Sequence, residues 1–177
     1  MEQIALQDTD GFLSDKYSIT VDKIKTSYKE WFSLAQKINC LIYDMYTNFD
    51  LKNNDTIGMY LLSSFSQVHK SFQACSILYS YGLEDNVCII FRTMLESLFV
   101  ASSIKKDSNN FNKLIKNQEV YSICISPSAD NLCFILTETV GLMLAYIDIV
   151  KDYLIKDYTI ELNNLKLLHK QLQSRNK

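Results

Sequence analysis

Apolar side chains occupy almost every side of the segment from Asp85 to Ile104, DNVCIIFRTMLESLFVASSI. A helix that is apolar all round is normally buried in the core of a protein. Arg92 and Glu96 stand near the middle of this segment, and its modest length and these two charges make it a poor membrane-spanning helix. We therefore predict that the segment forms the central helix of a soluble bundle and carries the two charges inside.

Apolar residues recur every three or four positions over much of the remaining chain, which is the pattern of amphipathic helices. The pattern predicts four further helices over Thr20–Asn48, Asp55 or Thr56 to Tyr81, Asp130–Lys156 and Thr159–Gln173. Thr159 is expected to cap the last of them. Gly141 lies inside another, where glycine costs about 1 kcal/mol relative to alanine, and it indicates a close helix crossing.

A very short joint separates the helix that ends near Tyr81 from the central segment. Gly82 followed by the apolar Leu83 is typical of a Schellman C-cap. Asp85 is then expected to cap the next helix. A joint of this length forces two antiparallel helices that pack as a hairpin.

The pattern is weaker in three places. A short helix capped by Ser108 is expected after the central helix, and EVYSICIS, residues 119–126, fits a helical turn or an extended connector. Residues 1–17 form either a short lead-in helix or a partly ordered tail, and residues 174–177 are expected to fray. The whole pattern predicts an all-α, single-domain bundle of about five main helices, in which helix exceeds roughly two thirds of the chain.

The amino-acid composition supports this fold class and limits the classes of partner that are expected. The 177 residues are 47% hydrophobic, and four glycines and one proline argue against a β fold with many tight turns. A formal net charge of −2 gives no support for non-specific RNA or DNA binding through bulk charge. A local basic patch on an oligomer remains open.

The cysteines and the N-terminal sequence indicate the cellular compartment in which the protein is expected. Most of the cysteines lie among apolar neighbours without a CxxC or Cys/His cluster, which predicts reduced core thiols in a cytoplasmic protein. They are Cys40, Cys75, Cys88, Cys124 and Cys133. The start, MEQIALQDTDGFLS, has no basic region followed by an apolar one, so no signal peptide is expected. No membrane partner is expected, because no uninterrupted apolar run reaches transmembrane length. No metal or cofactor is expected, because the known phosphate-loop, nucleophile-elbow and metal-binding motifs do not occur.

Arg92 and Glu96 are the first candidates for chemistry. Their i,i+4 spacing places them on one face of a helix. They form either an internal ion pair that locks helix packing, since buried charges must be paired, or a functional site. In the second case Arg92 binds an anion or stabilises a transition state, and Glu96 orients it.

A row of polar residues follows the apolar stripe of the helix before the joint. It comprises Ser66, His69, Gln73, Ser76 and Ser80. The row is either a solvated face or the lining of an interior cleft. Counting outward from the joint puts His69 and Gln73 within about half a turn of the levels of Arg92 and Glu96. His69 is then either a structural histidine or a general acid or base, with Gln73 as a binding residue. His169 is expected on the exposed side of the last helix, without a role.

Residues Gln67 to Ala101 resemble a group of bacterial helical domains of unknown function. That family's pattern is a helix, a short glycine turn, a start rich in small residues and then Arg-x-x-x-Glu within an apolar helix. Gly82, Arg92 and Glu96 fit it. More distantly, the chain is similar to the HEPN superfamily of helical bundles, many of which are toxins or phage-defence ribonucleases that act as dimers.

The ribonuclease signature of that superfamily is an arginine followed about one turn later by a histidine. No histidine follows Arg92 in TMLESL, nor does one occur in the later SICISPSADN. The resemblance therefore favours a non-catalytic HEPN-like module for dimerisation or partner binding, in a bacterial defence or toxin–antitoxin context. The alternative is a metal-independent ribonuclease that uses Arg92, Glu96 and His69.

A homodimer is expected on the residues themselves as well. The long predicted helices carry more aromatic surface than a small bundle needs, notably Trp31, Phe32, Tyr43 and Tyr46. Excess apolar surface marks an interface.

Overall fold

The computed structural model describes residues 14–117 and 132–175, and helix accounts for 84% of them. Within these residues, seven α-helices follow one another along the chain. They are α1 (Tyr17–Ser27), α2 (Lys29–Tyr46), α3 (Thr56–Ser80), α4 (Glu84–Lys106), α5 (Asn109–Asn117), α6 (Leu132–Val150) and α7 (Thr159–Arg175). The predicted all-α fold class is confirmed. The predicted lead-in before Ser14 and the ambiguous EVYSICIS segment lie outside the described residues.

Several helix boundaries differ from the prediction. Helix α1 begins at Tyr17 and not at Thr20, and α7 continues to Arg175, into the tail that was expected to fray. The first predicted helix is interrupted at Tyr28, whose φ of −111° and ψ of 28° leave the helical region, so that α1 and α2 are separate helices. The helix predicted to reach Lys156 ends at Val150 and passes into a single 3₁₀ turn, Lys151–Tyr153. The next residues leave the helix and pair with the residues just after α2: the Ile155 amide donates to the Asn48 carbonyl at 2.8 Å.

The α3–α4 hairpin forms as the short joint predicts. Gly82 has a φ of +66°, which glycine adopts without strain. The amide of Leu83 donates to the carbonyl of Leu78 at 3.0 Å, which confirms the Schellman cap. At the other end of α3, the Asp55 carboxylate accepts from the Gly58 amide at 2.8 Å and confirms the N-cap.

Two predicted caps are wrong. Helix α4 begins at Glu84, so Asp85 lies inside its first turn, and the N-cap position Leu83 has no side-chain hydrogen bond. Helix α7 begins at Thr159, whose amide donates to the Asp157 carboxylate at 2.8 Å. Helix α4 thus begins before the predicted cap, whereas α7 begins at the predicted first residue, which belongs to the helix and does not cap it.

The central helix of the bundle is α6, not α4. Helix α6 packs against α2, α3, α4 and α7, and nearly all of its side chains from Leu136 to Val150 are buried or half-buried. Helix α4 packs mainly on α3 and α6 and buries four side chains: Val87, Met94, Ala101 and Ile104. The prediction that Asp85–Ile104 is the buried central helix is therefore wrong. Both helices are apolar on most sides, and the number of neighbouring helices decides which of them is covered.

Gly141 marks a close crossing of α6 and α7, as predicted. A Cβ atom at Gly141 would lie 3.2 Å from Cε1 of His169. His169 is half-buried, donates from Nε2 to the Thr137 carbonyl at 3.0 Å and packs nearly perpendicular to the Trp31 ring. The expectation that His169 is exposed and without a role is wrong, because it joins three helices.

The cysteines divide by burial. Cys75 is buried, and burial raises the pKa of its thiol to about 12. Cys88 is half-buried, whereas Cys40 is exposed, which corrects the expectation of a core thiol at position 40. Cys124 and the side chain of Cys133 lie outside the described residues.

Candidate functional site

Helix α3 directs His69 toward α2. The imidazole is buried, with its Nδ1 3.1 Å from the Tyr46 hydroxyl and its Nε2 2.8 Å from Oδ1 of Asn39. An amide oxygen only accepts hydrogen bonds, so Nε2 carries the proton and the Tyr46 hydroxyl donates to Nδ1. Both ring nitrogens of a neutral imidazole are thereby satisfied.

Gln73 belongs to the same cluster. Its Nε2 donates to Oδ1 of Asn39 at 2.8 Å and to the Tyr43 hydroxyl at 3.2 Å. We call these five residues the α2–α3 polar network: Asn39, Tyr43, Tyr46, His69 and Gln73. Of the predicted polar row, His69 thus faces the interior, and burial lowers its pKa below the usual value.

An open groove of about 740 Å³ borders this network between the first three helices. Phe32 and Ile77 give it apolar walls, and Lys25, Lys29 and Gln73 also line it. The imidazole of His69 is not among the residues that line it. The groove therefore borders the network at Asn39 and Gln73 and not at its histidine.

Arg92 and Glu96 form an ion pair on α4. Nε of Arg92 lies 3.0 Å from Oε1 of Glu96, and the two side chains are 37% and 30% exposed. The prediction that these charges are inside the bundle is wrong, because both are in contact with solvent. An exposed i,i+4 pair contributes little to stability.

The structure does not bring the four predicted site residues together. The side-chain partners of His69 and Gln73 lie on α2, whereas Arg92 and Glu96 lie on α4 and pair with each other. The hairpin joint fixes where α3 ends and α4 begins. It does not set the rotation of α3 about its axis, and this rotation turns His69 away from α4.

The outward side of α4 carries a feature that the sequence analysis missed. Opposite the buried side chains runs a row of six residues, which we call the α4 stripe: Asp85, Ile89, Arg92, Glu96, Phe99 and Ser103. Ile89 is 69% exposed and Phe99 is 52% exposed. The alternating spacing of four and three residues is that of a helix–helix packing seam. The sequence carried a signal for this outward face, because the charged residues Asp85, Arg92 and Glu96 of the apolar segment recur on one side of the helix.

Other charged groups tie helices together. The Asp44 carboxylate at the end of α2 accepts from Lys156 and from the Tyr158 hydroxyl, each at 2.8 Å, and these hydrogen bonds lower its pKa. Asp148 on α6 pairs with Lys166 on α7 and with Lys151.

In the part of the chain that the structure describes, no group of three or more His, Cys, Asp or Glu side chains has the arrangement of a metal site.

No family model, curated protein or solved structure matches this chain.

Among the described helices, α4 is long and apolar enough to cross a membrane by length and composition alone. Core helices of soluble proteins pass the same test, so this is weak evidence.

Proposed function

We propose that this chain is a non-catalytic helical module, HEPN-like in architecture, that binds a protein surface through the α4 stripe. The observation that carries this proposal is the exposure of Ile89 and Phe99 on an apolar helix that buries only four side chains. The resemblance of residues Gln67 to Ala101 suggests a bacterial defence or toxin–antitoxin context.

The packing of α4 favours binding without rearrangement. Its inner side chains, such as Met94 and Ala101, are fully covered by neighbouring helices. The outer side chains are therefore presented by a rigid support, which reduces the entropy lost on association. An exposed phenylalanine on such a support is typical of an interface anchor.

The charges on the stripe favour a protein over a lipid surface as the partner. Arg92 and Glu96 lie between Ile89 and Phe99, so a bilayer that received the apolar side chains would also receive the two charges. Charges at membrane depth are costly. At a protein interface the same charges can meet complementary groups, which gives specificity.

Nothing in the described geometry favours the ribonuclease alternative. His69 is held by Tyr46 and Asn39, and it does not reach the Arg92–Glu96 pair. A general acid or base must lie within hydrogen-bond reach of the reacting group. The alternative remains a prediction that an RNA cleavage assay on the purified protein tests directly.

Site-specific photo-cross-linking in the native host cells tests the proposal. Phe99 is replaced by p-benzoylphenylalanine, and Ile160 on α7, which is 74% exposed, is replaced in the same way as the matched control. We expect a discrete protein adduct from position 99 that Ile89→Lys removes and that position 160 does not form. If position 99 forms no protein adduct, or forms adducts that Ile89→Lys leaves unchanged, the proposal is overturned.

A further inference from the structure

We infer that the partner of the α4 stripe is a second copy of this chain, packed antiparallel about a two-fold axis that crosses α4 at the level of Met94. This inference rests on the proposed function and names its partner. It is carried by the symmetry of the stripe and by the distribution of charge along α4.

The six residues of the stripe are placed symmetrically about position 94. Arg92 and Glu96 lie two positions on either side, Ile89 and Phe99 lie five, and Asp85 and Ser103 lie nine. In a two-fold interface every contact occurs twice. If one residue of the first copy contacts another residue of the second copy, the same two residues also meet with the copies exchanged. Antiparallel packing about position 94 therefore puts Ile89 against Phe99 of the second copy at both ends of the contact.

The charges distinguish antiparallel from parallel packing. In the antiparallel arrangement, Arg92 faces Glu96 of the second copy, and the four charged side chains alternate in sign around the axis. In a parallel arrangement in register, Arg92 would face Arg92 and Glu96 would face Glu96. Like charges opposite each other disfavour that orientation.

The ends of α4 agree with the same orientation. Its first turn is acidic, with Glu84 and Asp85, and its last turn is basic, with Lys105 and Lys106. Lys105 already donates to the Asp148 and Ile149 carbonyls, whereas Lys106 is exposed. Antiparallel packing places Lys106 near Asp85 of the second copy. The two helix dipoles also oppose each other in this arrangement.

Charge reversal tests the identity of the partner. We expect the wild-type chain to form a dimer in sedimentation equilibrium, and Arg92→Glu or Glu96→Arg alone to raise the dissociation constant by about tenfold or more. An equimolar mixture of the two variants restores dimerisation, because the two acidic side chains of the first variant then face the two arginines of the second. This rescue excludes misfolding as the cause of the single losses. The matched control is Arg175→Glu, which reverses one charge of an exposed ion pair with Glu30 on another face and leaves the dissociation constant unchanged.

Disulfide cross-linking tests the orientation. Ile89→Cys and Phe99→Cys are each made in a chain that carries Cys40→Ser and Cys88→Ser, and this parent chain is the control. Antiparallel packing predicts rapid cross-linking in a mixture of the two variants. It predicts none in Ile89→Cys alone, because residues 89 of the two copies lie about 15 Å apart along the axis. Rapid cross-linking of Ile89→Cys with itself overturns the antiparallel arrangement.

The remaining outcomes separate this inference from the proposed function. A wild-type chain that stays monomeric at about 100 µM, far above the dissociation constants of specific dimers, overturns the second copy as the partner. The proposed function then still stands if the Phe99 cross-link joins a different protein and Ile89→Lys removes it. Binding of the wild-type chain to phosphatidylcholine vesicles that Ile89→Lys abolishes, without any protein adduct at position 99, overturns both.

Discussion

Nε2 of His69 lies 2.8 Å from Oδ1 of Asn39 across the interface of α2 and α3. In the neutral imidazole, Nε2 donates to this amide oxygen and Nδ1 accepts from the Tyr46 hydroxyl, and burial favours the neutral form because it lowers the pKa of the ring. His69 is thus a structural link between two helices. Its burial has a measurable consequence for stability.

Stability should fall as the pH is lowered through the titration range of His69. Burial lowers the pKa of His69 in the folded state. The unfolded chain therefore binds more protons between the lowered pKa and the ordinary value of about 6.5. The free energy of unfolding is highest above that ordinary value and decreases as the pH falls toward the folded-state pKa. Chemical denaturation across the range from neutral to mildly acidic pH measures this slope.

The matched variant for that experiment is His69→Gln. Its slope over the same pH range should be smaller than that of the wild type, because the group that takes up the proton is gone. Asp44, whose pKa is lowered by Lys156 and Tyr158, loses its contribution only at more acidic pH and does not interfere. Equal slopes in the two proteins would show that His69 is not the group responsible.

Removing one charge of the Arg92–Glu96 pair should change stability little. The pair is part-exposed, so Arg92→Ala and Glu96→Ala should each cost about 0.2–1 kcal/mol. A buried pair would lose about 3–5 kcal/mol. Denaturation at low protein concentration measures the difference without a contribution from self-association. A large loss in both single variants, recovered by combining Arg92→Met with Glu96→Leu, would contradict the exposed position of the pair.

Met94 should matter more to stability than its neighbour Leu95. Met94 is fully buried on the inner face of α4, whereas Leu95 is half-buried. Met94→Ala should therefore cost about 2–5 kcal/mol, and Leu95→Ala clearly less. Urea denaturation of the two variants side by side measures the order, and the reverse order would mean that α4 is rotated relative to the structure.

Gly141 should not tolerate a large side chain. A Cβ atom there already approaches His169 to 3.2 Å, so Gly141→Leu should destabilise the protein by about 1–3 kcal/mol through overpacking. Asn163→Leu, at an exposed position on α7, is the control and should stay within about 0.5 kcal/mol of the wild type. Thermal melts of both variants provide the comparison. A neutral Gly141→Leu would show that α6 and α7 can separate freely.

Local features of the chain were sufficient to predict several elements correctly. Asp55, Gly82 and Leu83 determine the two ends of α3 through hydrogen bonds between near neighbours in sequence. Gly141 predicted the helix crossing, because glycine inside a helix is unfavourable and its presence there indicates close packing. The all-α class followed from the three- and four-residue period of apolar side chains.

The sequence by itself thus determined the fold class, the two ends of α3 and the hairpin, since these depend on interactions within a few residues. Only the tertiary structure decided that α6 is the covered helix, that His69 turns toward α2, and that Arg92 lies on an outward stripe. Burial of an apolar helix depends on how many neighbours surround it, and the direction of a side chain depends on the rotation of its helix. Both are set by packing among residues far apart in the chain, which periodicity along a single segment does not encode.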